Sequence, residues 1–404
     1  MAVTEYRDIT KVNWFKRLGS SLKGIFTGLL VFILAFPLLF WNESRAVKTA
    51  KRLAEGAGSV LSVGTDSVDP ANEGKLVHVS GMVAVHGEVA DADFGISTPA
   101  VALSRSVEIY QWVEDEESEV VTKDGKEVEK VTYTYSKQWC DSPVDSSRFK
   151  ERGHDNGPAE MRFGYRDVCA TDVTLGAFSL SESNIRRIGG EKAYAFPAGF
   201  VPPETLAGAQ LANGVVYVPI DAALPAPVVT VDTNGVTNVV QNARSVAAQP
   251  QIGDLRVTFA VVEPHEVSIV AAQVGNSFGG WKASDGNSIM MQRDGVHDAA
   301  EMFESAQASN KLLTRVLRFV GFLIMFLGVR AVLAPLAVLV DVIPLVNRLV
   351  SASVSIGAAI VAAVFSLVTI ALAWVTFRPL VAIPLLVVAV ALAVLGFRRK
   401  RSAR

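Results

Sequence analysis

Residues 24–41 read GIFTGLLVFILAFPLLFW, a run of 18 residues without a charge. A helix of that length is just long enough to cross the hydrocarbon core of a bilayer, which is about 30 Å thick. The alternative is a cleaved signal peptide, because Lys16, Arg17 and Lys23 precede the run. No cleavage pattern of the A-x-A kind follows it, so the run predicts a membrane anchor.

Three further apolar runs lie near the C-terminus. They cover residues 312–330, 350–377 and 379–397, and Arg378 with the proline after it joins the last two through a tight turn. Four spans place both termini on the same side of the membrane. The tail, residues 398–404, carries five positive charges and no negative one, so both termini are predicted to be cytoplasmic.

The stretch between the first two spans has the character of a soluble domain. Residues 42–311 show strand-like alternation and turn signals, and residues 1–23 form a short, cytoplasmic N-terminal segment. The predicted fold class is therefore an α+β integral membrane protein with four transmembrane helices. A large β-rich extracytoplasmic domain, periplasmic or lumenal, is inserted between the first and second spans.

Strand patterns and turn residues recur through this domain. Apolar alternation predicts strands over residues 76–85, 107–113, 128–139, 255–261 and 267–271. Asp124-Gly125 and Asn234-Gly235 are strong hairpin signals. The acidic residues Glu114 to Glu117 are expected to form a solvated loop at the mouth of the first hairpin rather than a cation site. Residues 297–311 are expected to form a helix that runs directly into the second span.

The segment after the second span differs from the spans in charge. In residues 331–349 and the arginine before them, Arg330, Asp341 and Arg348 recur at intervals of 11 and 7 and so share one helical face. This pattern predicts an interfacial, amphipathic connector that two prolines interrupt. The alternative is a pair between Arg330 and Asp341 inside a longer, kinked span.

Two stripes of residues are candidate contact surfaces. Arg45, Lys48 and Arg52 follow the first span at i, i+3, i+7 spacing and would contact lipid headgroups or a neighbouring subunit. The alternative is an ordinary solvated helix face. In the third span, small residues at i, i+4 spacing are predicted to pack helices closely, within or between subunits: Ser355, Ala359 and Ala363.

The sequence contains no motif of a known catalytic or cofactor site. It has no G-x-S-x-G, Walker A, H-E-x-x-H or G-x-G-x-x-G pattern, and its five histidines are scattered, so neither an enzyme, a metal nor a cofactor is predicted. A formal net charge of −2 argues against nucleic-acid binding. Cys140 and Cys169 would form a disulfide on the extracytoplasmic side, or remain two separately buried thiols.

Several segments together resemble the transmembrane protein 43 family, also called LUMA. The segments are NESRAVKTAKRLAEG (42–56), ANEGKLVHVSG (71–81), VEIYQWVEDEES (107–118), VTYTYSKQW (131–139), GDLRVTF (253–259) and FRPL (377–380). The resemblance implies four spans, a large lumenal or periplasmic domain, and a role in organising membranes and their protein complexes. It identifies no catalytic residue.

The resemblance also bears on location and partners. Eukaryotic members belong to the endoplasmic reticulum and inner nuclear membrane, whereas the Ala- and Val-rich composition suggests a bacterial relative, located in the inner membrane. The expected partners are the lipid bilayer, further copies of the chain in a homo-oligomer, and other membrane proteins. The leading hypothesis is a self-associating membrane scaffold, and the alternative is an extracytoplasmic sensing module that a continuous helix couples to the membrane.

Overall fold

The structure is a computed structural model that describes most of the chain. The described residues are 4–11, 14–123, 126–157, 161–206, 208–220, 228–231, 237–240, 245–339, 344–379 and 382–384. They form two compact units. The first, the β-rich unit, comprises Met1–Lys11, Leu61–Trp281 and Met290–Asp298, and the second, the helical unit, comprises Val12–Val60, Lys282–Ile289 and Ala299–Arg404.

Most of the strands are short, and two of them form one long hairpin. In chain order they are β1 (Thr4–Lys11), β2 (Leu61–Ser62), β3 (Leu76–Val85), β4 (Val89–Asp91), β5 (Ile96–Thr98), β6 (Ala102–Lys123), β7 (Lys126–Cys140), β8 (Arg166–Cys169), β9 (Val173–Leu175), β10 (Phe178–Ser179), β11 (Lys192–Ala193), β12 (Gln210–Ala212), β13 (Val215–Val218), β14 (Val228–Val231), β15 (Thr237–Val240), β16 (Leu255–Val262), β17 (Glu266–Val274), β18 (Ser277–Gly279), β19 (Trp281–Lys282), β20 (Ser288–Ile289) and β21 (Met291–Asp294).

Two larger sheets build the β-rich unit. The eight-stranded sheet has the order β1-β7-β6-β16-β13-β12, with β8 and β11 attached, and the seven-stranded sheet has the order β10-β9-β3-β17-β18, with β2 and β21 attached. Strand β16 alternates buried and half-buried residues as its sequence predicts, and its Phe259 packs in the core of the first sheet. Strand β17 is buried along nearly its whole length, and its Ile269 packs in the core of the second.

The hairpin predicted around Asp124-Gly125 is confirmed by the pairing of β6 with β7. The register runs from Ile109 opposite Cys140 to Lys123 opposite Lys126, and the two turn residues lie outside the described residues. The acidic residues 114–117 lie within β6, so the prediction that they form a loop is wrong. Backbone pairing with β7 continues through residues 114–117. Glu114 also accepts a hydrogen bond from Tyr135 on that partner strand.

The two cysteines are free thiols, which corrects the predicted disulfide. Cys140 lies opposite Ile109 and Cys169 lies opposite Ala102, both on strand β6. Seven residues of extended strand separate those two positions by roughly 23 Å. A disulfide needs Cα atoms within about 7 Å of one another, so the shared strand β6 keeps the thiols apart.

Strand β1 bears on the predicted membrane topology. It pairs antiparallel with β7, from Thr4 opposite Tyr135 to Lys11 opposite Val128. The prediction instead places residues 1–23 and 42–311 on opposite sides of a membrane that residues 24–41 cross. Such a crossing and this strand pair exclude one another, because paired strands lie on one side. Labelling a cysteine at position 6 from either side of sealed vesicles distinguishes the two arrangements.

Three long helices are apolar enough to cross a membrane. The helices of the described chain are α1 (Trp14–Ser59), α2 (Glu182–Ile185), α3 (Ala299–Leu339) and α4 (Pro344–Phe377). The candidate spans within them are Gly24–Ser59, Ala299–Pro335 and Ser353–Phe377. The prediction that one continuous helix enters the second span is confirmed by α3. Of the predicted fourth span, 379–397, only residues 379 and 382–384 are described, and the tail 398–404 lies outside the described residues.

The two ends of the predicted connector, residues 331–349, belong to helices α3 and α4 and not to a separate element. Helix α3 continues past the exposed Arg330 with Pro335 inside it, and α4 begins at Pro344 and includes Arg348. Proline is well tolerated at the first turn of a helix, where its missing N–H has no partner to lose. Asp341 lies outside the described residues, so a shared face of the three charged residues stays a prediction.

Helices α1 and α3 pack against each other in antiparallel order along a seam of small residues. Gly28 lies opposite Gly328, and a Cβ added to Gly28 would stand 2.7 Å from the Gly328 carbonyl oxygen. Nearer the other end, Ala46 accepts a hydrogen bond from Asn310. Only glycine allows the backbones to approach this closely, so the seam sets the separation of the two helices.

We expect Gly28→Ala to destabilise the helical unit by about 1–3 kcal/mol, because the new methyl group would overlap a backbone atom. Thermal unfolding of the full chain in detergent micelles measures this. Gly24→Ala is the matched control in the same helix, since no described atom lies within 4 Å of its Cβ position. That control should be neutral or gain stability, as alanine favours helix over glycine. Equal melting temperatures of the two variants would show that the close contact at Gly28 does not stabilise the helix pair.

Candidate functional site: a polar layer and a basic groove in the helical unit

A layer of buried and half-buried polar side chains connects α1, α3 and α4 where their apolar runs end. We call it the polar layer, and its members are Asn42, Glu43, Arg45, Asn310, Thr314, Arg318 and Trp374. Polar groups in an apolar setting must find hydrogen-bond partners, since an unpaired group there costs several kcal/mol. The layer therefore fixes how the three helices align.

Glu43 is fully buried and joins α1 to both other helices. Its Oε1 accepts a hydrogen bond from Arg318 Nε at 2.6 Å, and its Oε2 accepts one from Arg318 Nη2 at 2.8 Å. Trp374 Nε1 donates to the same Oε2 at 2.9 Å. The guanidinium carbons of Arg318 and Arg378 lie 5.6 and 5.8 Å from the centre of the Trp374 ring. The carboxylate is thus held by a bidentate ion pair and a third donor.

The second half of the layer joins α1 and α3 through side-chain amides. Asn42 Nδ2 donates to the Thr314 carbonyl at 3.1 Å, and Asn310 Nδ2 donates to the Ala46 carbonyl at 3.0 Å. Arg45 donates from Nη1 to Asn310 Oδ1 and from Nη2 to Thr314 Oγ1, both at 3.2 Å. A shift of one helical turn would break all of these bonds, so they determine the register of the pair.

The sequence contains a signal for this layer that the sequence interpretation missed. Asn310, Thr314 and Arg318 recur at i, i+4, i+8 and so form one stripe of α3, facing Asn42 and Glu43 at the end of the first apolar run. Polar residues at one-turn spacing beside an apolar run predict an interhelical contact. Which helix supplies the partners cannot be derived from that spacing.

An open groove with a volume of about 520 Å³ lies beside the polar layer, and we call it the basic groove. Its wall from α1 consists mostly of small apolar residues. Its charged lining residues are all cationic. The full lining is Ala46, Val47, Ala50, Lys51, Ala54, Gln307, Asn310, Lys311, Thr314, Arg315, Arg318 and Arg378.

The structure separates the predicted basic stripe into three environments. Arg45 belongs to the polar layer, Arg52 pairs with Asp285 at 3.1 Å, and Lys48 is exposed. Two of the three side chains therefore have partners within the chain, which corrects the expectation of one common binding face. Their i, i+3, i+7 spacing carries no information about the α3 residues that Arg45 contacts or the 282–289 segment that pairs with Arg52.

The predicted small-residue stripe lies at the border of the helix bundle. Ser355, Ala359 and Ala363 are half-buried, whereas Ala358 and Ala362 beside them are fully buried. Ala362 packs with residues of α1 and α3 in an apolar cluster. The row next to the predicted one thus makes the packing contacts inside this chain.

The β-rich unit has a cavity of its own, with a volume of about 900 Å³ and a lining drawn from residues 143–157. Tyr135 anchors this segment from β7, stacking on His154 at 4.1 Å between ring centres and donating a hydrogen bond to Glu114 at 2.6 Å. Burial and that hydrogen bond raise the pKa of Tyr135 to about 12. Burial also raises the pKa of the Cys169 thiol.

The described residues offer little for metal chemistry. Within the described ranges, no group of three or more His, Cys, Asp or Glu side chains could hold a metal ion. The lining of the 143–157 cavity comes from one loop and is largely polar, so it lacks the apolar walls of a typical small-molecule pocket.

The fold and the site together define an α+β membrane protein whose helices are joined by an ion pair on a fully buried carboxylate and whose β-rich unit, apart from β1, lies in sequence between α1 and α3. Comparison with known proteins gives the family. The family described as Transmembrane protein 43 matches residues 109–379. The chain is 33% identical to Transmembrane protein 43 of Mus musculus and 32% identical to that of Homo sapiens, each over 380 residues, or 91% of this chain and 88% of that protein.

A more distant relative, the Transmembrane protein 43 homolog of Drosophila melanogaster, is 28% identical over 363 residues, which cover 88% of this chain and 89% of that protein. This chain therefore belongs to the transmembrane protein 43 family, as its sequence segments indicated. No solved structure gives a significant match.

We expect Glu43→Gln to destabilise the helical unit by about 3 kcal/mol or more, because it leaves the Arg318 guanidinium without its countercharge. Trp374→Phe keeps an aromatic ring but removes the indole N–H donor, and should cost about 1–3 kcal/mol. Thermal unfolding in detergent micelles measures both. Glu304→Gln, an exposed position on α3, is the control with the same change in charge. If Glu43→Gln and Glu304→Gln melt together, the ion pair does not hold the helices.

The raised pKa of Tyr135 predicts a dependence of stability on pH. The unfolded phenol loses its proton near pH 10 and the folded one near pH 12, so the stabilisation is complete below pH 10 and is lost as the pH rises to 12. Tyr135→Phe should therefore flatten the fall of the unfolding free energy over this range. Tyr165→Phe, at an exposed tyrosine, should leave the wild-type slope, and a steep slope in Tyr135→Phe would refute the prediction.

Proposed function

We propose that this protein is a self-associating membrane scaffold that organises membrane structure and membrane protein complexes and has no catalytic role. Membership of the transmembrane protein 43 family supports a membrane protein. We also propose cytoplasmic termini and, for a bacterial chain, the inner membrane; this arrangement requires residues 4–11 to lie apart from β7, which labelling at position 6 tests.

The observation that carries the proposal is a braced pair of helices that continues beyond the apolar runs. From the polar layer onwards, residues 42–59 of α1 extend for roughly 27 Å. Gln307 of α3 donates to the Ala50 carbonyl at 3.0 Å. Near the end of α1, Glu55 accepts from the Ser284 backbone N–H at 2.9 Å and Arg52 pairs with Asp285. Such cross-links make a stiff support, which suits a protein that holds others in position.

The predicted small-residue stripe of α4, at the border of the helix bundle, supports self-association. Ser355, Ala359 and Ala363 are half-buried small residues next to a row that is fully buried within the chain. Small residues let a second helix approach closely, and close van der Waals packing drives helix association in lipid. A neighbouring copy could therefore pack on this row without displacing a side chain.

Sensing is the second candidate function, and the continuity of α3 favours it. The chain passes from the end of β21 at Asp294 into α3 at Ala299 with four residues between them. A ligand that moved β21 would act on a helix that enters the membrane. The described cavity at residues 143–157 is polar and formed by one loop, however, so the scaffold hypothesis is better supported.

The mass of the full chain in detergent micelles or lipid nanodiscs tests self-association. We expect multiples of the 43.2 kDa chain that grow with protein concentration. Ala359→Leu should shift the distribution towards the monomer by about tenfold or more, because the added side chain obstructs close helix packing. Ala371→Leu makes the same change at an exposed position of α4 and is the control. A strictly monomeric wild-type protein at all concentrations would exclude a self-associating scaffold.

A further inference from the structure

The basic groove gathers five cationic side chains around a small volume. Lys51 comes from α1, Lys311, Arg315 and Arg318 come from α3, and Arg378 follows α4. No aspartate or glutamate is among its lining residues. Arg318 is engaged by Glu43 at the back of the groove, so four of the five charges are not neutralised there.

The cations of the groove lie close enough to one another for their like charges to repel. Lys311, Arg315 and Arg318 are four and three residues apart, so their side chains share one face of α3. Like charges at such spacing destabilise a helix unless an anion lies between them. Among the described residues, no carboxylate forms an ion pair with Lys51, Lys311 or Arg315. Within the described part of the chain, the groove therefore has the charge of a binding site for an anion, and no carboxylate there supplies the counter-charge.

The position of the groove indicates where that anion comes from. Leu312, Val316 and Phe319 are exposed on the same turns of α3, and Trp41 is exposed on α1. These apolar side chains need lipid, whereas arginine, lysine and tryptophan favour the headgroup level. The cations of the groove thus face the boundary between acyl chains and water, at the depth of lipid phosphates.

We infer that the basic groove binds the phosphate-bearing headgroup of an anionic lipid. The guanidinium groups of Arg315 and Arg378 suit a phosphate, because their N–H groups match two of its oxygens. The small wall formed by Ala46, Ala50 and Ala54 leaves room for the glycerol backbone. A volume of about 520 Å³ lies within the range of ligand-binding pockets. This inference goes beyond self-association and does not depend on it.

Native mass spectrometry of the full chain in neutral detergent tests the inference with two lipids, phosphatidylglycerol and phosphatidylcholine. We expect the wild type to bind phosphatidylglycerol at least tenfold more tightly than phosphatidylcholine. The double variant Lys311→Gln/Arg315→Gln should bind it about 30-fold more weakly, since each basic residue near a lipid surface accounts for roughly one factor of five. The same spectra show the oligomer mass, so failure of the lipid site and failure of self-association are separate readings.

Lys48→Gln/Arg330→Gln is the matched control, because it removes one lysine and one arginine that are exposed outside the groove. It should retain the lipid as the wild type does. Without lipid, the groove variant should melt no lower than the wild type, which shows that it folds. Equal loss in both double variants, or no preference for phosphatidylglycerol, would overturn the inference. Displacement of the lipid by millimolar inorganic phosphate would instead identify a soluble anion as the ligand and overturn the lipid source.

Discussion

The ion pair between Glu43 and Arg318 is the interaction on which the arrangement of the helical unit depends. A carboxylate without solvent exposure is tolerated only when its oxygens are satisfied, because removal of a charge from water costs several kcal/mol. Arg318 supplies two donors and Trp374 a third. Since these donors belong to α3 and α4, the burial of one carboxylate on α1 requires both other helices to be in place.

Close packing makes this requirement specific. The backbones of α1 and α3 approach at Gly28 and Gly328, which leaves no room for a side chain between them. From that contact, the antiparallel geometry brings Asn42 to Thr314 and Ala46 to Asn310. The glycines alone would allow the helices to slide, and the polar layer alone would allow them to separate. Together they define one register and one distance.

The sequence predicted elements well where the signal is local. The period of two in residues 255–261 and the Asp124-Gly125 turn identified strands that the structure contains, and the uncharged runs identified the long helices. The structure departed from the prediction where the decisive partner is distant in sequence. Arg45 meets residues more than 260 positions away, and helical spacing carries no information about them.

The acidic residues 114–117 are a second case in which a local pattern did not determine the structure. Four adjacent carboxylates indicate a solvated segment, but they do not decide between loop and strand. The long partner strand β7 decides, because each of its residues offers a backbone partner to β6. The cysteines are likewise placed by strand pairing and not by their spacing. In each case, strand pairing between residues distant in sequence determines the structure, whatever the local pattern indicates.

The polar layer lies where the uncharged run of α1 ends. Glu43 comes two residues after the uncharged run 24–41, and Arg318 comes within the first turns of the apolar part of α3. An unpaired arginine would draw its helix towards water, and the pair removes that force by giving the guanidinium an internal partner. Lys311 and Arg315 have no such partner among the described residues, so water or lipid headgroups would suit them better than a hydrocarbon core. The contrast between one paired and two unpaired cations on the same face of α3 is therefore the physical basis for the proposed lipid site, because only the unpaired charges are available to an external anion.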